Sequence, residues 1–309
     1  MNIVFMGSAD FGIPALQSIK DSDHTVVGVV STPAKPQGRG RRLQESPVTR
    51  YARQQKLGPI YTPDRLKNPE FISTMQGLNA DIYVVVAFRI LPFELFSIPP
   101  CGTVNIHASL LPRYRGPAPI QRAIEAGERT TGVTIFQIDA GVDTGKIILQ
   151  RSTDIGQDET TPELYQKLST LGAEGILEAL ECIQNHTCMP VEQDSSGATR
   201  APKLSKDEAV IDWAMPARLI YNRIRAFKPF PGTVTRINGR RLGIEWASVS
   251  HKQYEDVPGT LVQIEPDSFT VACGEGSLKI LQVKPEGKKT MDVGAFLRGN
   301  AMEKGLVLR

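Results

Sequence analysis

Residues 1–20 decide the first half of the fold: Met1-Asn-Ile-Val-Phe-Met-Gly-Ser-Ala-Asp-Phe-Gly-Ile-Pro-Ala-Leu-Gln-Ser-Ile-Lys20. The apolar run Ile3–Met6 predicts a buried strand, and the segment Ile13–Lys20 predicts a helix with Pro14 in its first turn. Similar non-alternating runs follow at Val26–Val30, Ile82–Ala87, Gly102–His107 and Gly132–Ile138, with a helical segment at Pro119–Glu125. Such runs, separated by helices, indicate an α/β domain with a doubly wound, mostly parallel sheet that is covered on both faces.

The character of the chain changes after a long helical stretch at Pro162–Asn185. Residues 190–206 concentrate Pro, Gly and Ser and lack hydrophobic periodicity, which predicts a linker. A helical patch at Pro216–Phe227 precedes short alternating runs that predict a small antiparallel barrel, and Asn238-Gly239 between two of them is typical of a hairpin turn. The runs are Gly232–Ile237, Arg241–Trp246, Gly259–Ile264, Ser268–Cys273 and Ser277–Val283. The expected domains are residues 1–189 and 207–309.

Composition limits the class of protein. The chain has 309 residues, of which 40% are hydrophobic and 22% charged, and its formal net charge is +3. These values exclude a disordered, collagenous or coiled-coil chain, and the length allows two domains. We see no targeting sequence or membrane-spanning stretch and expect a soluble cytoplasmic monomer without a membrane partner. Four cysteines without zinc-site spacing are expected to be reduced thiols, and we expect no metal: Cys101, Cys182, Cys188 and Cys273.

The first glycine turn, Gly7-Ser-Ala-Asp-Phe-Gly12, is where an α/β sheet would commonly bind a nucleotide. Ala9 occupies the position of the middle glycine of the dinucleotide fingerprint, and no Gly-Lys-Ser/Thr follows. This pattern argues against a nucleotide-dependent oxidoreductase. It predicts a tight turn beside a site that is built elsewhere.

Polar residues in apolar surroundings concentrate in two segments, Thr103–Gly116 and Gln137–Gly145. Asn105 and His107 are two apart on a predicted strand, so both point to one face at the strand end where open α/β sheets bind ligands. An imidazole can take up a proton near neutral pH, an amide can donate to a developing oxyanion, and a carboxylate can stabilise the imidazolium. Because no Ser or Cys nucleophile is placed beside His107, direct transfer of an acyl group to an amine is the simplest chemistry. The alternative is that both side chains only bond a loop backbone.

The chain resembles the folate-dependent formyltransferase family along essentially its whole length, and the match is most specific at these residues. The principal matches are Asn105-Ile-His107-Ala-Ser109-Leu-Leu-Pro112-Arg-Tyr-Arg-Gly116 and Asp139-Ala-Gly-Val-Asp143-Thr-Gly145, with further matches at Met6–Phe11, Gly38–Gly40, Ser46–Val48, Ala201–Leu204 and Ile211–Trp213. The resemblance implies a Rossmann-like catalytic domain followed by an OB-like barrel. It also implies formyl transfer from 10-formyltetrahydrofolate to the α-amine of methionine on initiator tRNA, by direct attack of the amine through a tetrahedral intermediate.

The resemblance implies that Asn105, His107 and Asp143 are the catalytic residues. Asn105 would bind the formyl oxygen, and His107, helped by Asp143, would manage the proton and stabilise the intermediate. A water held by Asp143 is an equal candidate for removing the amine proton. The implied folate-binding residues are Phe88, Arg89, Ile90, Leu91, Ser109, Leu110, Leu111, Pro112, Ile138 and Asp139. At Phe88-Arg89 the chain departs from the Tyr-Gly pair that is more usual in relatives.

Basic residues indicate where a polyanion would bind. Residues 35–53 carry six cations against Glu45, a net of +5, and their Pro and Gly predict a mobile loop. The resemblance implies that this loop reaches the tRNA acceptor stem, and the implied tRNA contacts are Arg39, Arg41, Arg42 and Lys203. A solvated basic loop is the alternative. Residues 206–309 have a net charge of +4, which suits contact with a nucleic-acid backbone.

Three aromatic residues of the second domain, Phe227, Phe230 and Trp246, are expected to pack in its core rather than to stack on bases. Two rival functions remain. A formyltransferase for a small amine, such as glycinamide ribonucleotide or an amino sugar, would need neither the basic loop nor the second domain. A noncatalytic RNA-binding module would have no use for the catalytic residues.

Overall fold

The computed structural model describes residues 1–37 and 42–309, which form two compact units. The first unit comprises Met1–Pro119, Thr130–Asp154 and Tyr165–Ala201, and the second comprises Ile120–Arg129, Ile155–Leu164 and Pro202–Arg309.

A seven-stranded sheet forms the centre of the first unit. Its strands are β1 (Asn2–Gly7), β2 (Thr25–Val30), β5 (Ile60–Tyr61), β6 (Ile82–Val86), β7 (Thr103–His107), β8 (Thr130–Gln137) and β9 (Ile147–Asp154), in the order β5-β2-β1-β6-β7-β8-β9. The neighbours from β5 to β7 are parallel, whereas β8 runs antiparallel to both β7 and β9. The predicted doubly wound, mostly parallel sheet is confirmed, and the short β5 and the edge strand β9 add to it.

The helices begin where the sequence offers a proline or a capping side chain. Pro14, Pro47 and Pro69 lie in the first turns of α1, α2 and α3, and the Ser46 hydroxyl accepts a hydrogen bond from the Thr49 N–H at the start of α2. The bounds are α1 (Ile13–Lys20), α2 (Pro47–Gln54), α3 (Pro69–Gly77), α4 (Phe93–Phe96), α5 (Pro119–Glu125), α6 (Thr161–Gln184), α7 (Ala217–Ala226) and α8 (Val293–Leu297), with 3-10 turns at Asp10–Gly12, Ser195–Gly197 and Asp207–Ala209. Within residues 1–37 and 42–309, no helix is long and apolar enough to span a bilayer.

The central strands β1 and β6 are buried on both faces. Val4, Met6 and Tyr83 pack in one cluster with Phe71 and Met75 of α3. The alternate residues of β1, Ile3 and Phe5, are also fully buried. Strands covered on both faces read as continuous apolar runs, and this is why the sequence reveals them.

The basic segment 35–53 contains regular structure that the predicted loop lacks. β3 (Lys35–Gln37) pairs antiparallel with β4 (Arg42–Gln44), and α2 follows directly. The Ser46 hydroxyl lies 2.6 Å from that of Ser31, which donates to the Gly7 carbonyl at 2.7 Å and so ties the segment to the end of β1. Arg42 is exposed on β4, whereas Arg39 and Arg41 lie outside the described residues.

The second unit is built on an antiparallel sheet. Its strands are β10 (Val234–Ile237), β11 (Arg240–Ser250), β12 (Leu261–Glu265), β13 (Ser268–Ala272), β14 (Ser277–Pro285) and β15 (Met291–Asp292), in the order β10-β11-β14-β13-β12 with β15 beside β14. Asn238 and Gly239, with φ of 48° and 77°, form the predicted two-residue hairpin turn. The final residues link the two edge strands, because the Leu306 carbonyl accepts from the Leu261 N–H and the Arg309 N–H donates to the Arg236 carbonyl. This closure agrees with the predicted small barrel.

Two cysteines are not free thiols. Cys182 and Cys188 form a disulfide, so the expectation of four reduced cysteines is wrong for this pair. His186, with φ of 55°, reverses the chain after α6 and brings the two Cα atoms to 5.1 Å, within disulfide range. Cys101 and Cys273 are free.

Candidate active site

His107 ends β7 and is buried, with 7% of its surface exposed. Its Nε2 atom lies 2.9 Å from the carbonyl oxygen of Tyr114, and its Nδ1 atom lies 3.7 Å from Oδ2 of Asp143. Because a carbonyl oxygen only accepts, Nε2 must carry a proton in this contact. Nδ1 is therefore the ring nitrogen that faces the carboxylate.

Asp143 reaches His107 because the connection between β8 and β9 folds back over the sheet. The Gln137 N–H donates to the Lys146 carbonyl at 2.9 Å and closes the base of this connection. Inside it, Oδ1 of Asp139 accepts from the Gly141 N–H at 2.9 Å and from the Thr144 hydroxyl at 2.6 Å. Asp139 is thus engaged in shaping the loop that carries Asp143.

The Asp143 carboxylate has a second partner in Gly116, whose N–H donates to Oδ2 at 2.8 Å. Gly116 has φ of 121°, and a Cβ at this position would lie 2.8 Å from the Ala201 carbonyl oxygen. Only glycine fits both conditions without strain. The chain can therefore bring this N–H close enough to fix the carboxylate.

Asn105 lies between Val85 of β6 and Phe136 of β8 in the sheet and is half-buried. Among the described residues, its side-chain amide has no hydrogen-bond partner within the chain. Since it points to the same face as His107, two residues away, this amide is available to a substrate oxygen beside the imidazole.

The segment that follows His107, residues 109–113, is held in place by hydrogen bonds to its backbone atoms. The buried Ser109 hydroxyl donates to the Arg113 carbonyl at 2.7 Å, and the Ser109 carbonyl accepts from the Thr134 hydroxyl at 2.7 Å. The same hydroxyl of Thr134 accepts from the Leu111 N–H at 3.0 Å. Ser109 therefore shapes the predicted folate-binding stretch, which continues through Leu110, the buried Leu111 and Pro112.

The residues predicted to line a pterin pocket divide into two groups. Phe88, Leu91 and Ile138 belong to one apolar cluster, although Ile138 follows β8 whereas Phe88 and Leu91 lie in the connection between β6 and β7. Ile90 is 79% exposed beside them. Arg89 instead donates to the carbonyls of Pro63 and Asp64 at 2.8 and 3.0 Å, and burial lowers the pKa of its guanidinium. Its side chain thus secures a neighbouring backbone segment.

Sequence reasoning missed Gln193, which contacts the loop of Asp143 from the predicted linker. It also missed the roles of the Tyr114 carbonyl and the Gly116 N–H, since backbone atoms leave no signature in residue type. Lys203 is exposed in the second unit. In the part of the chain that the structure describes, no group of three or more His, Cys, Asp or Glu side chains is placed to hold a metal ion.

Comparison with known proteins identifies the family. The formyl transferase family model matches residues 1–180, and the model of the formyl transferase C-terminal domain matches residues 203–301. The chain belongs to the formyl transferase family. The resemblance predicted from Asn105 to Gly116 and from Asp139 to Gly145 is therefore confirmed, and the oxidoreductase and RNA-binding-module alternatives are disfavoured.

Relatives within the formyl transferase family match the chain from end to end. A methionyl-tRNA formyltransferase of Jannaschia sp. is 44% identical over 310 residues and covers 100% of both chains. A methionyl-tRNA formyltransferase of Hydrogenovibrio crunogenus is 41% identical over 303 residues, covering 98% of this chain and 97% of its own. The fold is also similar to that of WlaRD, a sugar 3N-formyl transferase solved in the presence of dTDP and 5-N-formyl-THF, with a TM-score of 0.66, 21% identity, and coverage of 94% of this chain and 99% of WlaRD.

Proposed function

We propose that this protein transfers the formyl group of 10-formyltetrahydrofolate to the free amino group of methionyl initiator tRNA. The observation that carries the choice of acceptor is the 41–44% identity to methionyl-tRNA formyltransferases over essentially both full lengths. That similarity in sequence extends through the second unit. The fold of the second unit does not by itself decide the acceptor, because the sugar 3N-formyl transferase WlaRD is similar over 94% of this chain. An acceptor of this kind is found where translation begins, so we expect the enzyme to act in the cytoplasm. We also expect a monomer to be active, because one chain carries all the residues proposed for catalysis and binding.

In the proposed mechanism, the methionyl amine attacks the formyl carbon and Nδ1 of His107 takes up the proton that leaves this amine. The same proton is then returned to the folate nitrogen as its bond to the formyl carbon breaks, which releases tetrahydrofolate. The carboxylate of Asp143, 3.7 Å away, stabilises the imidazolium that results. The amide of Asn105 donates to the formyl oxygen, where negative charge develops as the amine attacks. The proton on Nε2 stays with the Tyr114 carbonyl throughout and holds the ring in place.

The co-substrate supplies the formyl group on a nitrogen atom, and the first unit offers matching surfaces for it. The cluster of Phe88, Leu91 and Ile138, with the exposed side chains of Ile90 and Val142, suits the faces of a planar pterin ring. The unpaired amide of Asn105 suits a carbonyl oxygen. We propose that these residues bind the donor. Arg89 and Asp139, whose side chains are hydrogen-bonded within the protein, would help to shape the same site. The segment Ser109, Leu110, Leu111 and Pro112 would complete it.

For the tRNA, we propose contacts from Arg39, Arg41 and Arg42 in the first unit and from Lys203 in the second. The second unit also contains a cleft of about 490 Å³ whose lining includes Lys206, Arg236, Arg241, Arg309 and Phe230. Phe230 is 50% exposed there rather than packed in the core. Cations beside an exposed aromatic ring suit contact with phosphates and bases. We propose residues 1–189 as the catalytic domain, 190–206 as the linker and 207–309 as the tRNA-binding domain.

Acceptor choice tests this proposal. The purified protein is given 10-formyltetrahydrofolate with equal concentrations of methionyl initiator tRNA, glycinamide ribonucleotide and a dTDP-amino sugar, and each product is quantified. We expect formylmethionyl-tRNA as the product, with a KM for tRNA that rises with salt concentration and a KM for folate that does not. N-acetylated methionyl-tRNA, whose amine is blocked, is the matched control. Formylation of either small amine in preference to methionyl-tRNA would refute the proposal.

A further inference from the structure

Gln193 is hydrogen-bonded to the loop of Asp143 from fifty positions further along the chain. Its Nε2 donates to the carbonyl oxygens of Asp143 at 3.0 Å and Gly145 at 2.7 Å. Its Oε1 accepts from Nε of Arg115 at 3.1 Å and from Nη2 of the same guanidinium at 2.6 Å. Both amide hydrogens and the amide oxygen are thus engaged, and they join the two loops that meet at His107.

The segment that carries Gln193, residues 191–201, is itself fixed at both ends, and we call it the strap. At one end, Val191 exchanges two backbone hydrogen bonds of 2.8 Å with Ile147, the first residue of β9. At the other end, the Arg115 N–H donates to the Thr199 carbonyl at 2.9 Å, and the Ala201 N–H donates to the Arg115 carbonyl at 2.7 Å. The backbone on both sides of Gln193 is therefore held by hydrogen bonds to β9 and to the loop of Arg115.

Asp143 is a residue that needs such support. Its φ of 56° lies in the left-handed region, which is unfavourable for a residue other than glycine. Its loop has left the sheet, so no strand partner fixes its backbone. The backbone at Gly145 is also tightly confined, because a Cβ there would overlap the Gln137 carbonyl oxygen. Gln193 binds the carbonyls of both ends of this Asp143–Gly145 turn.

We propose that Gln193 is a positioning residue for formyl transfer: it holds the Asp143 turn so that the carboxylate faces Nδ1 of His107. The inference rests on the proposed function only in giving Asp143 a catalytic role. A small displacement of a catalytic group lowers turnover more than substrate binding, because the reacting geometry is lost while the binding surfaces remain.

The test compares Gln193→Glu with Gln193→Leu. Glutamate keeps the acceptors for Arg115 but loses both donors to the Asp143 and Gly145 carbonyls. We expect kcat to fall roughly 10- to 100-fold in both variants, with KM for folate and for the acceptor within about twofold of wild type. Glu192→Gln is the matched control, since Glu192 is 76% exposed in a surface ion pair with Lys146, and we expect it to behave as wild type. Thermal unfolding of each variant checks that it is folded.

The double variant Gln193→Glu/Asp143→Asn separates positioning from general structural damage. If Gln193 acts through the Asp143 carboxylate, adding Gln193→Glu to Asp143→Asn lowers kcat by less than about threefold. Losses that multiply in the double variant, or an unchanged kcat in Gln193→Glu, would overturn the proposal. The comparison is made with whichever amine the wild type formylates, so a wrong acceptor refutes the proposed function and leaves this test intact.

Discussion

Replacing His107 with glutamine is expected to lower kcat for formyl transfer by roughly 10²- to 10⁴-fold, the usual contribution of a general acid–base. A glutamine amide can still donate to the Tyr114 carbonyl, which lies 2.9 Å from Nε2 of the imidazole, so the β7 end and its loop keep their contact. What the variant loses is the basic nitrogen that faces Asp143. The KM values for folate and methionyl-tRNA should therefore change little. Steady-state kinetics, with tRNA binding measured separately by filter retention, give both quantities.

The same substitution at an exposed histidine provides the control for this prediction. His251 lies on the surface of the second unit, and we expect His251→Gln to retain wild-type kcat. A His107→Gln enzyme with wild-type kcat would show that proton transfer does not pass through this imidazole. Loss of tRNA binding in His107→Gln would assign the residue to substrate binding instead.

Replacing Asp143 with asparagine is expected to lower kcat by roughly 10²- to 10⁴-fold, comparable to the loss when the orienting carboxylate of a Ser-His-Asp triad becomes an amide. Asparagine keeps an oxygen that can accept from the Gly116 N–H, so the loop contact at 2.8 Å can persist. The negative charge opposite Nδ1 of His107 is removed. In the proposed mechanism this charge stabilises the imidazolium, so its loss is expected to raise the barrier without removing a binding surface.

Asp154→Asn, a neutralisation at the exposed end of β9, is the control for Asp143→Asn and should leave kcat unchanged. The double variant His107→Gln/Asp143→Asn adds a stricter criterion. Groups that act as a unit give non-additive losses, so the double variant should be about as slow as the slower single variant. Multiplying losses would mean that the two side chains act independently.

The fold was largely predictable because its main signals are local. β1, β6 and β7 are largely buried on both faces and appear as apolar runs, and the Asn238-Gly239 turn marks its hairpin directly. β9 was missed because half-buried and exposed residues alternate along its second half, and it begins after a loop whose length gives no sign of a returning strand. The basic segment was predicted as a loop because the pairing of β3 with β4 involves only three residues on each side.

The candidate site was predictable only in part. The positions of Asn105 and His107 follow from strand periodicity, but the approach of Asp143 depends on a loop that folds back, and only the family resemblance indicated it. Gln193 gave no signal, because its segment has the Pro, Gly and Ser content of a linker and its partners lie 48 to 78 positions away. The disulfide was missed because Cys182 and Cys188 approach each other only through the reversal at His186.

We propose that the formyl group passes directly between two substrates held beside Asn105, His107 and Asp143, with no covalent enzyme intermediate. A rapid-quench experiment in a single turnover tests it most directly, using a donor labelled in the formyl carbon with excess enzyme and methionyl-tRNA. We expect label to leave the donor and to enter formylmethionyl-tRNA in one common phase, which Asp143→Asn slows, while the protein fraction stays at background. Label that accumulates on the protein before the tRNA product, and decays as that product forms, would show a covalent formyl-enzyme and rule out direct transfer.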